Sequence, residues 1–387
     1  MSKLKKKKIL MIFGTRPEAI KMAPLYHELK KHKNNISLKV CVSAQHRELL
    51  DQVLKFFDIK VDFDLDIMKK NQELSDLTSS LISKISLVLK KMNPDLVLVH
   101  GDTTTAFSAA LAAFYKNIKI GHVEAGLRTY DNERPFPEEI NRQIVSKISR
   151  WHFSPTENSF KNLLRENIQK KNIVKSGNTV IDALFLGLEN IKSNHKLRKK
   201  IQLFYKKILP IDLDKEKVIL LTNHRRENLG IAFDNIFSAL LELSREFKDY
   251  NFVYPMHLNP KVKRQAMRAL SNVKNIHLIS PLNYPNFLYL MNKSHFIITD
   301  SGGIQEEAPS LGKPVLVTRD KTERPEAVEK GAVKLVGSNP KKIIKMSSML
   351  IKNKEYYNSM SQTINPYGDG KASFRITKFI IKNLNEL

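Results

Sequence analysis

Several polar segments follow short apolar runs and precede stretches of helical period, and they hold most of the residues able to do chemistry. His100-Gly101-Asp102-Thr103-Thr104-Thr105 places an aspartate and a hydroxyl run directly after Leu96–Val99. His122-Val123-Glu124-Ala125-Gly126-Leu127-Arg128 ends the run Ile118–Val123 on a carboxylate. Arg134-Pro135-Phe136-Pro137-Glu138-Glu139-Ile140-Asn141-Arg142 then opens a helix with two acids. Three of these acids have a plain structural use: Asp102 as a helix cap, Glu138 and Glu139 as first-turn partners of the helix dipole. Together, Asp102, Glu124 and Glu138 at strand ends point to general acid/base work.

A second group of loops suits anions. Gly14-Thr15-Arg16-Pro17-Glu18, followed by Lys21, sets a cation where a helix begins, and Gly14 lets the chain turn. Neither GxGxxG nor GxxxxGK[ST] is present there, so it is neither a dinucleotide fingerprint nor a P-loop. Asn223-His224-Arg225-Arg226-Glu227-Asn228-Leu229-Gly230 offers the charge-assisted donors a diphosphate demands. In Asp300-Ser301-Gly302-Gly303-Ile304-Gln305-Glu306-Glu307, paired glycines and a hydroxyl at a helix start make a phosphate cradle or a tight turn with a cap. A glutamate one turn further on suits ribose hydroxyls. Thr322-Glu323-Arg324-Pro325-Glu326 supplies another arginine. No HExxH, EF-hand or Cys/His spacing occurs, so no metal site is expected.

The elements that must position these loops alternate. In the first half, Ile9–Phe13, Leu38–Val42, Leu96–Val99 and Ile118–Val123 read as strands buried on both faces. Glu18–His32, His46–Phe57, Glu73–Met92 and Thr104–Tyr115 read as helices between them. Near residue 190 a basic run, Lys192–Lys207, gives way to a second series: Lys217–Thr222, Asn251–Pro255, Ile276–Ile279, Phe296–Thr299, Pro314–Val317 and Ala332–Val336. Such alternation predicts an α/β chain of two doubly wound, Rossmann-like domains facing a central cleft. The boundaries fall at 1–188, 189–367 and 368–387, the last a C-terminal helix expected to pack back on the N-terminal domain.

Composition narrows the function classes. The chain has 387 residues, 42% hydrophobic and 27% charged, which is ordinary for globular domains. Its net charge of +26 invites an anionic polymer as partner, but 49 of its 65 cationic residues are lysine. Arginine is the residue that forks onto phosphate and guanine, so no specific nucleic-acid role is expected. The single cysteine, Cys41, excludes an intramolecular disulfide and reads as a buried small hydrophobe. No apolar stretch is long enough for a signal or a membrane span, so membrane insertion is not expected and a cytoplasmic protein is.

The segments GTRPEAIKMAPL, HGDTTT, HVEAGLRT, RPFPEEINR, HRRENLG, DSGGIQEEAPSLGKPV and ERPEAV closely resemble, in this order, the bacterial non-hydrolysing UDP-N-acetylglucosamine 2-epimerases. The likeness runs from Lys8 to Leu384. It implies the two-domain GT-B arrangement and interconversion of UDP-GlcNAc and UDP-ManNAc without cofactor or metal. UDP is eliminated to leave a 2-acetamidoglucal and is added back with the opposite configuration at C2. Surface-polysaccharide assembly is the usual destination of such products. On this resemblance Asp102, Glu124 and Glu138 match catalytic acids, with the face each serves left open. His224 joins the catalytic set from a UDP-contacting position. Arg16, Ser301, Gly302, Gly303, Glu307 and Arg324 match UDP-binding positions, Lys21 an active-site lysine and Phe287 a uracil-contacting aromatic.

Some members of that family bind a second, allosteric UDP-GlcNAc. The matching positions are Gln45, Gln72, Glu138, Arg225 and His257, but Glu48 and Asn71 replace a glutamine and an arginine. An acid and an amide there predict a weaker second site. Family resemblance also implies a homodimer. The alternatives are a hydrolysing epimerase that releases ManNAc and UDP and, in a different class, a basic protein that binds anionic polymers. GDTTT and HVEAGLRT resemble the non-hydrolysing branch.

Overall fold

In a computed structural model of the chain, residues 6–44, 47–68, 72–223, 230–257 and 259–387 are described. The chain divides into two compact units, Met1–Leu186 with Tyr367–Leu387, and Gly187–Pro366.

The first unit is built on strands β1 (Lys7–Phe13), β2 (Ile36–Val42), β3 (Phe63–Asp64), β4 (Leu96–His100), β5 (Lys119–Val123), β6 (Trp151–Ser154) and β7 (Ile173–Lys175). Helices α1 (Arg16–Lys30), α2 (Arg47–Phe56), α3 (Leu74–Met92), α4 (Thr104–Phe114), α5 (Glu138–Ile148) and α6 (Glu157–Arg165) connect them, and α7 (Thr179–Ser193) carries the chain into the second unit. The strands form one parallel sheet in the order β3-β2-β1-β4-β5-β6-β7. Parallel strands are covered on both faces, which is why β4 is buried at every position. Leu10, Ile12, Val97 and Val99 meet Leu81, Ile85 and Ala109 in a continuous core. Asn93 ends α3 in the left-handed region at φ 47°, just before Pro94.

The second unit begins with α8 (His195–Ile208) and holds β8 (Lys217–Thr222), β9 (Tyr250–Pro255), β10 (Ile276–Ile279), β11 (Phe296–Thr299), β12 (Val315–Val317) and β13 (Val333–Leu335). Between them lie α9 (Ile231–Glu246), α10 (Pro260–Leu270), α11 (Tyr284–Lys293), α12 (Gly302–Glu307) and α13 (Pro325–Glu329), and α14 (Pro340–Lys352) and α15 (Lys354–Ser361) follow. This parallel sheet runs β10-β9-β8-β11-β12-β13 around a core of Phe233, Phe237, Phe252 and Phe296.

Strand order reverses between β1 and β4 in one sheet and between β8 and β11 in the other. In doubly wound sheets ligands bind outside the carboxyl ends of the strands at such points. The loops that leave β1, β4, β8 and β11 are among those whose residues suggested chemistry.

The last helix, α16 (Ala372–Lys382), belongs to the first unit. Asp182 accepts from the amides of Ala372 and Ser373 at 3.1 and 2.7 Å, satisfying donors at the helix start. Phe379 meets the edges of Trp151 and Phe153 on β6, with ring centroids 5.4 and 5.9 Å apart. Cys41 is buried on β2, and burial pushes its thiol up to about 12, so it is a packing residue. Among the described residues no helix is long and apolar enough to cross a membrane.

Candidate active site

The loops after β1 and β4 are tied by one buried acid. Thr15 and Glu18 form a capping box at the start of α1, with Glu18 accepting from the amides of Gly14 and Thr15 at 3.1 and 2.8 Å. The other Glu18 oxygen accepts from Thr103 Oγ1 at 2.9 Å. Burial pushes this carboxyl up to about 6 in spite of its donors. Gly14 is needed for space: a Cβ there would lie 1.8 Å from Ser43 Oγ and 2.7 Å from Thr105 Oγ1.

Asp102 is not the cap of α4. Thr103 is, accepting from the amide of Ala106 at 3.0 Å. The Asp102 carboxylate instead takes a hydrogen bond from Arg142 Nη2 at 2.5 Å, while Asn141 Nδ2 donates to its backbone carbonyl at 2.9 Å. Glu139 is also occupied structurally. It is fully buried and accepts from the amides of Thr129 and Tyr130 at 3.0 and 3.1 Å, and Arg142 Nη1 lies 3.2 Å away. Those donors outweigh burial and hold its carboxyl below the usual range.

Glu124 follows β5 with φ 63°, a left-handed conformation that costs a side-chain-bearing residue about 1–2 kcal/mol. Its Oε2 pairs with Lys21 Nζ and lies 3.7 Å from His100 Nε2. Burial raises the carboxyl of Asp102, opposed by Arg142 and reinforced by Glu124. Burial likewise raises that of half-buried Glu138, and the charge of Asp102 adds to it. The three acids therefore share one electrostatic neighbourhood on the first unit. Carboxyls whose surroundings raise their proton affinities are suited to holding a proton for delivery, and a neighbouring carboxylate paired with a cation is suited to removing one.

In the second unit, Thr222 Oγ1 donates to Thr299 Oγ1 at 2.7 Å and the Ser301 amide donates to the same oxygen at 2.9 Å, joining β8 to the loop after β11. Ser301 is the N-cap residue of α12, yet its hydroxyl makes no capping bond. Gly302 lies against the Arg324 guanidinium, where a Cβ would come within 2.8 Å of Cζ. Arg324 Nε donates to Glu306 Oε1 at 2.7 Å and its Nη1 lies 2.8 Å from Glu323. A Cβ on Gly303 would meet nothing among the described residues within 4 Å, so the backbone there leaves room for a bulky group. Phe287 stands half-buried in the first turn of α11, which Asn283 caps through the Asn286 amide at 3.1 Å.

Residues 27–381 match the family model described as UDP-N-acetylglucosamine 2-epimerase. The chain belongs to that family. A UDP-N-acetylglucosamine 2-epimerase of Escherichia coli K12 is 51% identical, over 97% of this chain and 99% of the relative. The crystal structure of the Neisseria meningitidis UDP-GlcNAc 2-epimerase bound to UDP-GlcNAc is 55% identical with a TM-score of 0.87, covering 97% of this chain and 100% of the other. A Staphylococcus aureus MnaA–UDP structure is 47% identical with a TM-score of 0.84, and the match covers 98% of each chain. The α/β, two-sheet GT-B class expected from the sequence is the class of this epimerase chain.

Of the residues singled out in this epimerase chain, Asp102, Glu124 and Glu138 come together with Lys21, while Arg16 opens α1 beside Thr15. Ser301, Gly302, Gly303 and Arg324 gather at α12, and half-buried Glu307 ends that helix. Gln72 is half-buried ahead of α3, Glu48 is exposed on α2, and exposed His257 accepts from the Asn259 amide at 3.1 Å. His224, Gln45, Arg225 and Asn71 lie outside the described residues. Sequence reasoning assigned no role to Arg142, Glu18 or His100. Thr15-x-x-Glu18 carries a readable capping-box signature, and Glu139 to Arg142 is an i,i+3 helix pair. Nothing in the spacing shows that Arg142 also reaches Asp102, forty positions away.

Proposed function

We propose that the chain interconverts UDP-GlcNAc and UDP-ManNAc without hydrolysis, by eliminating UDP and adding it back. The observation that carries this reading is the coupled set Asp102, Glu124 and Glu138 at the loops after β4 and β5 and the start of α5. Inverting C2 through an unsaturated sugar needs one group to take the C2 proton and another to return it on the opposite face. Raised carboxyls on Asp102 and Glu138 suit proton delivery, and Glu124, paired with Lys21, suits proton removal. In the second unit, Ser301, Gly302, Gly303 and Arg324, with His224, stabilise the departing diphosphate. Arg16 and Glu307 complete the UDP contacts, and Phe287 covers uracil.

A cytoplasmic homodimer belongs to the same proposal. Leu87 on α3, Phe114 on α4 and Tyr115 are 69%, 51% and 68% exposed and supply apolar surface for self-association. A second UDP-GlcNAc on Gln45, Gln72, Arg225 and His257 is read as weak because of Glu48 and Asn71. Incubating UDP-GlcNAc with the purified protein and separating the products by anion exchange tests the reaction. UDP-ManNAc as the sole product is expected, whereas free ManNAc with UDP assigns the hydrolysing reaction and overturns the proposal.

A further inference from the structure

His100 ends β4 beside Val123, the residue before Glu124, and is 4% exposed. Backbone bonds fix this corner: the Gly101 amide donates to Val123 O at 2.9 Å, and His122 Nε2 lies 2.8 Å from Gly101 O. Within it, the buried His100 Nε2 has no hydrogen-bond partner among the described residues. An unmet polar atom in a protein interior is costly and calls for an explanation. The charged oxygen facing it is Glu124 Oε2, 3.7 Å away, the same oxygen that pairs with Lys21. That separation exceeds a hydrogen bond by well under an ångström. A carboxylate oxygen only accepts, so the two atoms are complementary when Nε2 carries the imidazole proton. Burial, opposed by the Glu124 charge and helped by that of Lys21, holds the ring neutral by lowering it to about 4.

We propose that His100 is a positioning residue for Glu124, its Nε2–H closing onto the Glu124 carboxylate during turnover and fixing that group together with Lys21. His100 transfers no proton itself. It restricts the rotation of a carboxylate already held in an unusual backbone conformation, so that one oxygen stays with Lys21 and His100 and the other faces the reacting carbon. The inference rests on the reading that Glu124 is an acid/base group.

Two experiments decide it. In nitrogen-15 histidine spectra of the full chain, His100, identified by the signal lost in His100→Gln, is expected as the neutral Nε2–H tautomer at about pH 7. Its Nε2 signal is expected to move in Glu124→Gln. An Nδ1–H tautomer, or a signal indifferent to Glu124→Gln, overturns the proposal. In turnover of UDP-GlcNAc, His100→Phe is expected to lose about 10- to 100-fold in kcat with KM within about twofold. His100→Gln, whose amide nitrogen can take the place of Nε2, is expected to recover most of that loss. Equal losses in the two variants, or a loss carried by KM, assign His100 to packing alone and overturn the proposal. A wild-type protein that leaves UDP-GlcNAc unchanged defeats the functional reading, and the tautomer spectra still decide the role of His100.

Discussion

Arg142 Nη2 stands 2.5 Å from Asp102 Oδ2 while its Nη1 stands 3.2 Å from Glu139 Oε2. One guanidinium thus joins a carboxylate proposed to react to one that holds the preceding loop through the amides of Thr129 and Tyr130. Replacing it affects both. In Arg142→Met, Asp102 loses its cation, its ionised form is disfavoured and its pKa rises, so the alkaline limb of kcat/KM, which a proton-delivering acid governs, moves to higher pH. Stability is expected to fall by about 3 kcal/mol, because Glu139 keeps its charge in a buried place. A pH–rate profile and urea unfolding check the two effects, and an unmoved alkaline limb contradicts a proton-delivering Asp102.

Side-chain amides in place of the acids separate chemistry from binding. Asp102→Asn, Glu124→Gln and Glu138→Gln are each expected to lower kcat by about 100-fold or more with small changes in KM. Steady-state kinetics on UDP-GlcNAc measures this. A variant with full kcat removes its residue from the acid/base set.

Adjacent glycines on α12 give opposite expectations. Gly302→Ala pushes a methyl to within 2.8 Å of Arg324 Cζ and disturbs the pair with Glu306, so the melting temperature should fall. Gly303→Ala meets no atom of the described residues and should leave stability unchanged, or higher by up to about 1 kcal/mol. If the diphosphate lies on Gly303, that same methyl weakens UDP binding about tenfold or more. Calorimetric titration with UDP alongside thermal melts tests the contrast, and undiminished UDP affinity in Gly303→Ala moves the diphosphate elsewhere.

Buried neutral histidines make the fold acid-sensitive. Burial lowers His100 to about 4 and His122 to about 3, both below the ordinary value of 6.5. The unfolded chain therefore binds these protons first. Their contribution is complete above about pH 6.5 and is lost as pH falls toward the folded values, about 2 kcal/mol for each histidine by pH 5. Urea unfolding at pH 7 and pH 5 should show the fall, and His122→Gln should reduce it. A stability that is level across this range contradicts the buried neutral state.

Much of the architecture is legible in the sequence because parallel strands buried on both faces leave continuous apolar runs. Leu96–Val99 and Phe296–Thr299 announce themselves in this way. Trp151–Ser154 and Ile173–Lys175 do not. They are only four and three residues long, and His152, Ser154 and Lys175 break their apolar character, so β6 and β7 emerge only from pairing with β5 and with each other. The candidate carboxylates are readable from their place after strands. The partners that set their charge are not, because Arg142 meets Asp102 and Lys21 meets Glu124 across different elements. Periodicity carries no information about such contacts. The local rule for helix starts also gives Asp102 a capping role that Thr103 performs.

The most direct test of reversible elimination is proton NMR of UDP-GlcNAc incubated with the purified protein in D2O. Reversible elimination yields UDP-ManNAc carrying deuterium at C2, loss of the C2 proton signal from the remaining UDP-GlcNAc, and no free ManNAc. UDP-ManNAc that keeps its original C2 proton, or release of ManNAc and UDP in place of UDP-ManNAc, would contradict it.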